Sequence, residues 1–77
     1  MKLELGRCLL HERLMEYEMS LEELAKALFY KRERLSDYIE NKRVMPLATA
    51  ISIADTIGCS VNELYEINAV DTLPTKL

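Results

Sequence analysis

Histidine, cysteine and glycine are scarce in this chain, with one, two and two copies, and each scarcity removes a class of function. The single histidine, His11, has no serine or carboxylate arrayed with it and only Cys8 near it on the same predicted helix. No pairing of nucleophile with base can be assembled, so no enzyme is expected. Gly6 and Gly58 stand too far apart for a phosphate-cradling loop. Cys8 and Cys59 form neither a CxxC pair nor a finger spacing. Cys8 and His11 share a helical face, but two ligands do not close a zinc site, and Cys8 reads as a small apolar core residue. No metal and no cofactor is expected. Long apolar runs are missing too; none approaches the roughly 18 residues that span a bilayer. The opening MKLELGRCLL has acids and a glycine too early for a signal peptide. The expectation is a cytoplasmic chain with no membrane partner.

What is present is the material of one small domain. The 77 residues are 49% hydrophobic and 30% charged, which suits a folded chain with a single modest core. The net charge of −3 argues at first against nucleic acid, but its distribution matters more. From Lys26 to Arg43, six cations (Lys26, Lys31, Arg32, Arg34, Lys42, Arg43) face three carboxylates (Glu33, Asp37, Glu40), leaving this stretch at +3 and the remainder at −6. A basic stripe with an acidic back suits a surface that meets a polyanion on one side and repels it on the other. The plainer alternative is a solvated charged surface.

In chain order, the pattern predicts five helices and offers no strand. The first runs from about Leu3 to Tyr17, with Leu10 and Leu14 as i, i+4 partners. Its inward set stays open, because Leu9 and Leu10 are adjacent. Ser20 with Glu23 forms the capping box S-L-E-E, which opens a second helix from Leu21 to about Leu28. Phe29-Tyr30 makes a turn. A third helix covers about Lys31 to Asn41, anchored by Leu35, Tyr38 and Ile39, and Asn41 suits a left-handed stop. Pro46 starts a fourth helix, LATAISIADTI, and Gly58 caps it. A second capping box, S-V-N-E at Ser60 to Glu63, predicts a fifth helix with Val61, Leu64 and Tyr65 on its apolar face. Residues 1–67 are read as the domain and residues 68–77 as a tail, loose or associated with a dimer.

The two short helices about Phe29-Tyr30, the second with a basic leading end, form a helix-turn-helix. The run from Met19 to Glu66 resembles the phage Cro and repressor-type (XRE) helix-turn-helix domains. The matching pieces are S-x-E-E-L-A at Ser20–Ala25, S-D-Y-I-E-N-K-R at Ser36–Arg43, Pro46, and I-A-D-x-I-G-x-S-V-x-E-L-Y at Ile53–Tyr65. The resemblance implies an all-α, five-helix, lambda-repressor-like fold. It also implies a sequence-specific transcription regulator, a repressor in the commonest case, that binds double-stranded DNA as a homodimer. Ala25 would be the small residue where the two helices cross, and Lys31, Arg32, Glu33, Ser36 and Asp37 the positions facing DNA. Arg32 can fork onto guanine, and Glu33 or Asp37 can accept from cytosine. Ser36 reads a base or a phosphate. Lys31, Arg34, Lys42 and Arg43 suit phosphates, and the helix start at Ser20 and Leu21 offers a free backbone N–H to another.

The chain departs from the family pattern in four places. Leu21 replaces the usual Gln, and Phe29 stands where the turn has Gly. No Gly follows Asn41, and the third helix has no Ser or Asp cap. If Phe29 takes a positive φ, the strain is of order 1 kcal/mol. The exposed pair Phe29-Tyr30 also motivates a rival reading, a helix-turn-helix-shaped module that binds another regulatory protein, such as a repressor or a polymerase subunit. Tyr65, Ile67, Val70 and Leu73 are the expected dimer interface.

Overall fold

The computed structural model describes residues 2–70 of the chain. Strand β1 (Lys2–Cys8) leads into helix α1 (Leu10–Glu16), followed by α2 (Leu21–Leu28), α3 (Arg32–Ile39) and α4 (Leu47–Ile57). A 3-10 turn over Val61–Glu63 then feeds strand β2 (Tyr65–Val70), which pairs antiparallel with β1. The fold is mostly helical, with four α-helices and a two-stranded sheet. Among the described residues, no helix is long and apolar enough to cross a membrane.

The helical middle follows from local chemistry. Ser20 Oγ accepts the Glu23 N–H at 3.0 Å, and Glu23 Oε1 accepts the Ser20 N–H at 2.9 Å, so both halves of the expected capping box form. Phe29 ends α2 at φ 57°, and the next N–H, that of Tyr30, donates to Ala25 O at 3.0 Å. Asn41 takes φ 61° just after α3, the left-handed stop its side chain suits. Gly58 ends α4 at φ 97°. Leu10, Leu24, Leu35, Ile53 and Leu64 are wholly buried and join every helix to one core. Each contributes about 1.5–3 kcal/mol by leaving water. The ambiguity of α1 is settled here: Leu10 and Leu14 point inward, and Leu9 is only half-buried. Cys8 is buried, and desolvation pushes its thiol up.

Two of the five expected helices are corrected at the ends of the domain. The first was expected from Leu3; instead Lys2–Cys8 is extended and the helix begins at Leu10. The alternation Lys2-Leu3-Glu4-Leu5 has the period of a strand, and Gly6 weakens any helix through it. The fifth helix is a single 3-10 turn. Ser60 Oγ accepts from Asn62 N–H at 3.3 Å rather than from Glu63, so the second capping box is not made. Tyr65-Glu66-Ile67 then leaves the helical path to pair with β1, and β2 continues past residue 67 to Val70. The described residues are therefore not all-α. Residues 71–77, with Leu73, and the Val70 side chain lie outside the described part.

The sheet register is Lys2 with Val70, Leu3 with Ala69, Glu4 with Asn68 and Leu5 with Ile67; it then shifts to Cys8 with Tyr65. Gly6 and Arg7 thus oppose the single residue Glu66, a β-bulge. A Cβ on Gly6 would lie 2.8 Å from Glu66 Cβ, so only glycine fits beneath that strand. Tyr65 turns inward, its hydroxyl accepting the Met45 N–H at 3.0 Å, which removes it from any surface interface.

Candidate nucleic-acid interface

The outward side of α3 is prepared by its inward side. With Leu35 and Tyr38 buried in the core and Ile39 packed against it, the helical period turns residues 32, 33, 36, 37 and 40 away. Arg32, Glu33, Ser36, Asp37, Glu40 and Lys42 line one shallow open depression along this face. Arg32, Glu33, Ser36 and Asp37 were expected to face DNA and Lys42 to hold a phosphate, and the fold brings these five together. Glu40 was not among the expected residues. Its spacing of four from Ser36 and three from Asp37 was the available signal.

The charges on this face are already paired loosely. Lys42 Nζ lies 3.1 Å from Glu40, Arg43 Nε lies 3.5 Å from Asp37, and Arg32 reaches Glu22 of α2 at 4.0 Å. The Glu40 hydrogen bond holds the Lys42 ammonium above its ordinary pKa. All three pairs are largely solvent-exposed, so each contributes little to stability and opens readily for a stronger anion. The loop that carries the cations is better fixed than the side chains: Asp37 O accepts both the Lys42 N–H, at 2.8 Å, and the Arg43 N–H. Lys31 stands exposed at the head of α3 as its N-cap residue, with no side-chain cap bond.

Arg34 is placed differently from the other cations. Its Nε donates to the Tyr38 hydroxyl at 3.1 Å, and a terminal nitrogen donates to Thr49 Oγ1 at 3.4 Å. Its guanidinium carbon sits 4.3 Å from the centroid of the Tyr30 ring. One side chain thus joins the turn, α3 and the first turn of α4, using both the forked donors and the flat face of arginine. The Tyr38 hydrogen bond, first among the causes, raises its pKa further. Arg34 is a clamp within the fold. The spacing gave no hint of this, because residue 34 lies on the border between the two faces of α3.

At the start of α2 the Ser20 and Glu23 backbone N–H groups are consumed by the capping box. That leaves the Leu21 N–H at the helix tip. The Leu21 side chain is half-buried against the core, so this residue offers backbone only. Hydrogen bonding to the Ser20 backbone depresses the Glu23 pKa. Asn41 carries a connection the sequence did not suggest: its Oδ1 accepts the Cys8 N–H at 2.8 Å, tying the end of α3 to the sheet. Phe29 projects from the turn with 95% of its surface exposed. Among the described residues, no group of three or more His, Cys, Asp or Glu could hold a metal ion.

Comparison with known proteins identifies the two-helix arrangement. A family model described as helix-turn-helix matches residues 10–64, which includes α1 to α4 and the 3-10 turn. The chain is 40% identical over 60 residues to an SPbeta prophage-derived uncharacterized HTH-type transcriptional regulator, YotL, of Bacillus subtilis, covering 77% of this chain and 75% of that one. It is 36% identical over 66 residues to a second such regulator of the same prophage, YopS, covering 84% and 89%. No solved structure matches the chain significantly. With the family model spanning most of the chain and the two-helix unit formed about Phe29, the chain belongs to the helix-turn-helix family.

Proposed function

We propose that this chain is a sequence-specific, DNA-binding transcriptional repressor that acts as a homodimer in the cytoplasm and inserts α3 into the major groove. The observation that carries the reading is the exposed side of α3, where Arg32, Glu33, Ser36 and Asp37 converge with Lys42 at its end. Arg32 forks onto a guanine edge, while Glu33 or Asp37 accepts from a cytosine amine and Ser36 takes a base or a phosphate. Lys31, Lys42 and Arg43 hold phosphates and set the register, helped by the Leu21 N–H and the Ser20 end of α2. On binding, Lys42 and Arg43 exchange Glu40 and Asp37 for phosphate, which frees Asp37 to face a base.

The test is retention of genomic DNA fragments across a salt series. Binding should fall steeply as salt rises, and Arg32→Ala should lose about 1–3 kcal/mol of discrimination at one base position. If the wild-type chain retains no fragment even at low salt, the reading fails. A second reading rests on Phe29, whose exposed ring suits a protein partner such as a larger repressor or a polymerase subunit. It predicts that Phe29→Ala removes partner binding and leaves fragment retention unchanged.

A further inference from the structure

A two-stranded antiparallel ribbon is marginal in water by itself, and the outer edge of β1 has no strand beside it among the described residues. One face of this ribbon is apolar. Leu3 with Ala69 and Leu5 with Ile67 point the same way, and Leu3 and Leu5 are 63% and 54% exposed. The opposite face of β1 carries Lys2 and Glu4, two exposed and opposite charges. Neither enters an ion pair among the described residues.

Edges are kept solitary by charge, proline or a bulge, and β1 has its bulge at Gly6-Arg7. The Lys2–Leu5 edge carries instead a pattern that a copy of itself satisfies. When a strand pairs antiparallel with its own copy, opposed residues share a face, so the two-fold axis passes through a residue. Three centres are available before the bulge takes over. An axis at Glu4 sets two carboxylates against each other. An axis at Leu5 draws in the bulge and opposes Leu3 with Arg7. An axis at Leu3 opposes Lys2 with Glu4 on both sides, and on the other face brings Leu3 against Leu3. Only this last register satisfies charge and apolarity together.

We propose that β1 is the self-association edge of this protein, and that a second copy pairs with it antiparallel, centred on Leu3, to form a four-stranded sheet. The proposal deepens the dimer reading above and places the interface on residues 2–5 rather than at Tyr65, Ile67, Val70 and Leu73. Its occupant follows from charge complementarity, because the Lys2-Leu3-Glu4 pattern is its own complement. The Cys8–Asn41 hydrogen bond attaches α3 to the same strand, so the pairing sets two α3 helices about one axis, as two half-sites require.

Sedimentation equilibrium of the full chain tests this with wild type, Lys2→Glu and the double swap Lys2→Glu/Glu4→Lys. The wild type should dimerise; the single variant, which sets like charges opposite each other, should weaken the dimer by about tenfold. The double swap should restore it. A monomeric wild type, a dimer indifferent to Lys2→Glu, or a swap that does not restore association overturns the proposal. If Lys2→Glu does not fold by circular dichroism, Leu3→Cys replaces it. Opposed across the axis, the two introduced thiols should give a disulfide-linked dimer when a diamide oxidant is added, while the wild type with Cys8 and Cys59 does not, and absence of that product overturns the proposal equally. Fragment retention is scored separately. A dimer of this kind that binds no DNA sinks the proposed function alone, and a DNA-binding dimer indifferent to Lys2→Glu sinks the edge pairing alone.

Discussion

Phe29 occupies a left-handed position that disfavours a bulky residue by about 1–2 kcal/mol, and its side chain recovers almost nothing by packing. Phe29→Gly relieves that strain and costs about 0.5–1 kcal/mol in chain entropy, so a net gain of about 0.5–1 kcal/mol is expected in thermal unfolding. Removal of the ring belongs in the partner test as well. Asn41 is the opposite case, a left-handed residue whose side chain is used. Asn41→Ala should cost about 1–3 kcal/mol in denaturant unfolding, by leaving the Cys8 N–H without its acceptor. Asn41→Gly retains the backbone freedom and isolates the hydrogen bond. Arg34 separates charge from shape. Arg34→Lys keeps the cation but loses the fork and the stacking over Tyr30, so the melting temperature should fall while the salt dependence of DNA retention stays. Arg34→Gln removes the charge as well, and a fall in the salt slope for that variant would instead make Arg34 a phosphate ligand.

At the scale of elements, α2, α3 and α4 were legible because each carries an inward stripe and a signal at one end or both. Ser20 and Glu23 cap one end, Asn41 and Gly58 turn the chain at others, and Leu24, Leu35 and Ile53 mark the inward faces. Leu24→Ala should therefore cost about 2–5 kcal/mol in chemical unfolding, since the side chain is wholly enclosed. The sheet was not legible. Four residues of alternation at Leu3 and Leu5 look the same as one edge of a helix, and the partner that decides between them lies more than 60 residues away in sequence. Gly6 was the missed clue, since an isolated glycine in an alternating stretch marks a bulge. Gly6→Ala should cost about 1–3 kcal/mol through collision with Glu66, and its loss should appear first as faster amide exchange in β1 and β2. Of the candidate site, the positions facing outward on α3 could be read from the period alone. The direction of Arg34 and the tie from Asn41 to the sheet required the third dimension.

The response of the whole molecule to acid follows from where its carboxylates are held. Glu12 is kept below the ordinary carboxylate pKa by its hydrogen bond from Arg7, and Glu23 by the Ser20 backbone. A folded pKa below the unfolded one means stability that is present above the unfolded value and lost as pH falls through the folded one. Melting temperature should accordingly decline on acidification through the carboxylate range, and Glu23→Gln should flatten part of that decline. Both groups are solvent-exposed, so the effect is small beside core burial.

The register of the sheet has one more consequence, for the order in which the molecule is made. Lys2 pairs with Val70, so β1 leaves the ribosome more than 60 residues ahead of the residue it pairs with. The helices between them close over short distances and have no such wait. The contacts within the two-helix unit are therefore available to a nascent chain before its ends can meet. Its β1 edge stays unpaired beside those of neighbouring chains on the same message, at the moment when they are most crowded.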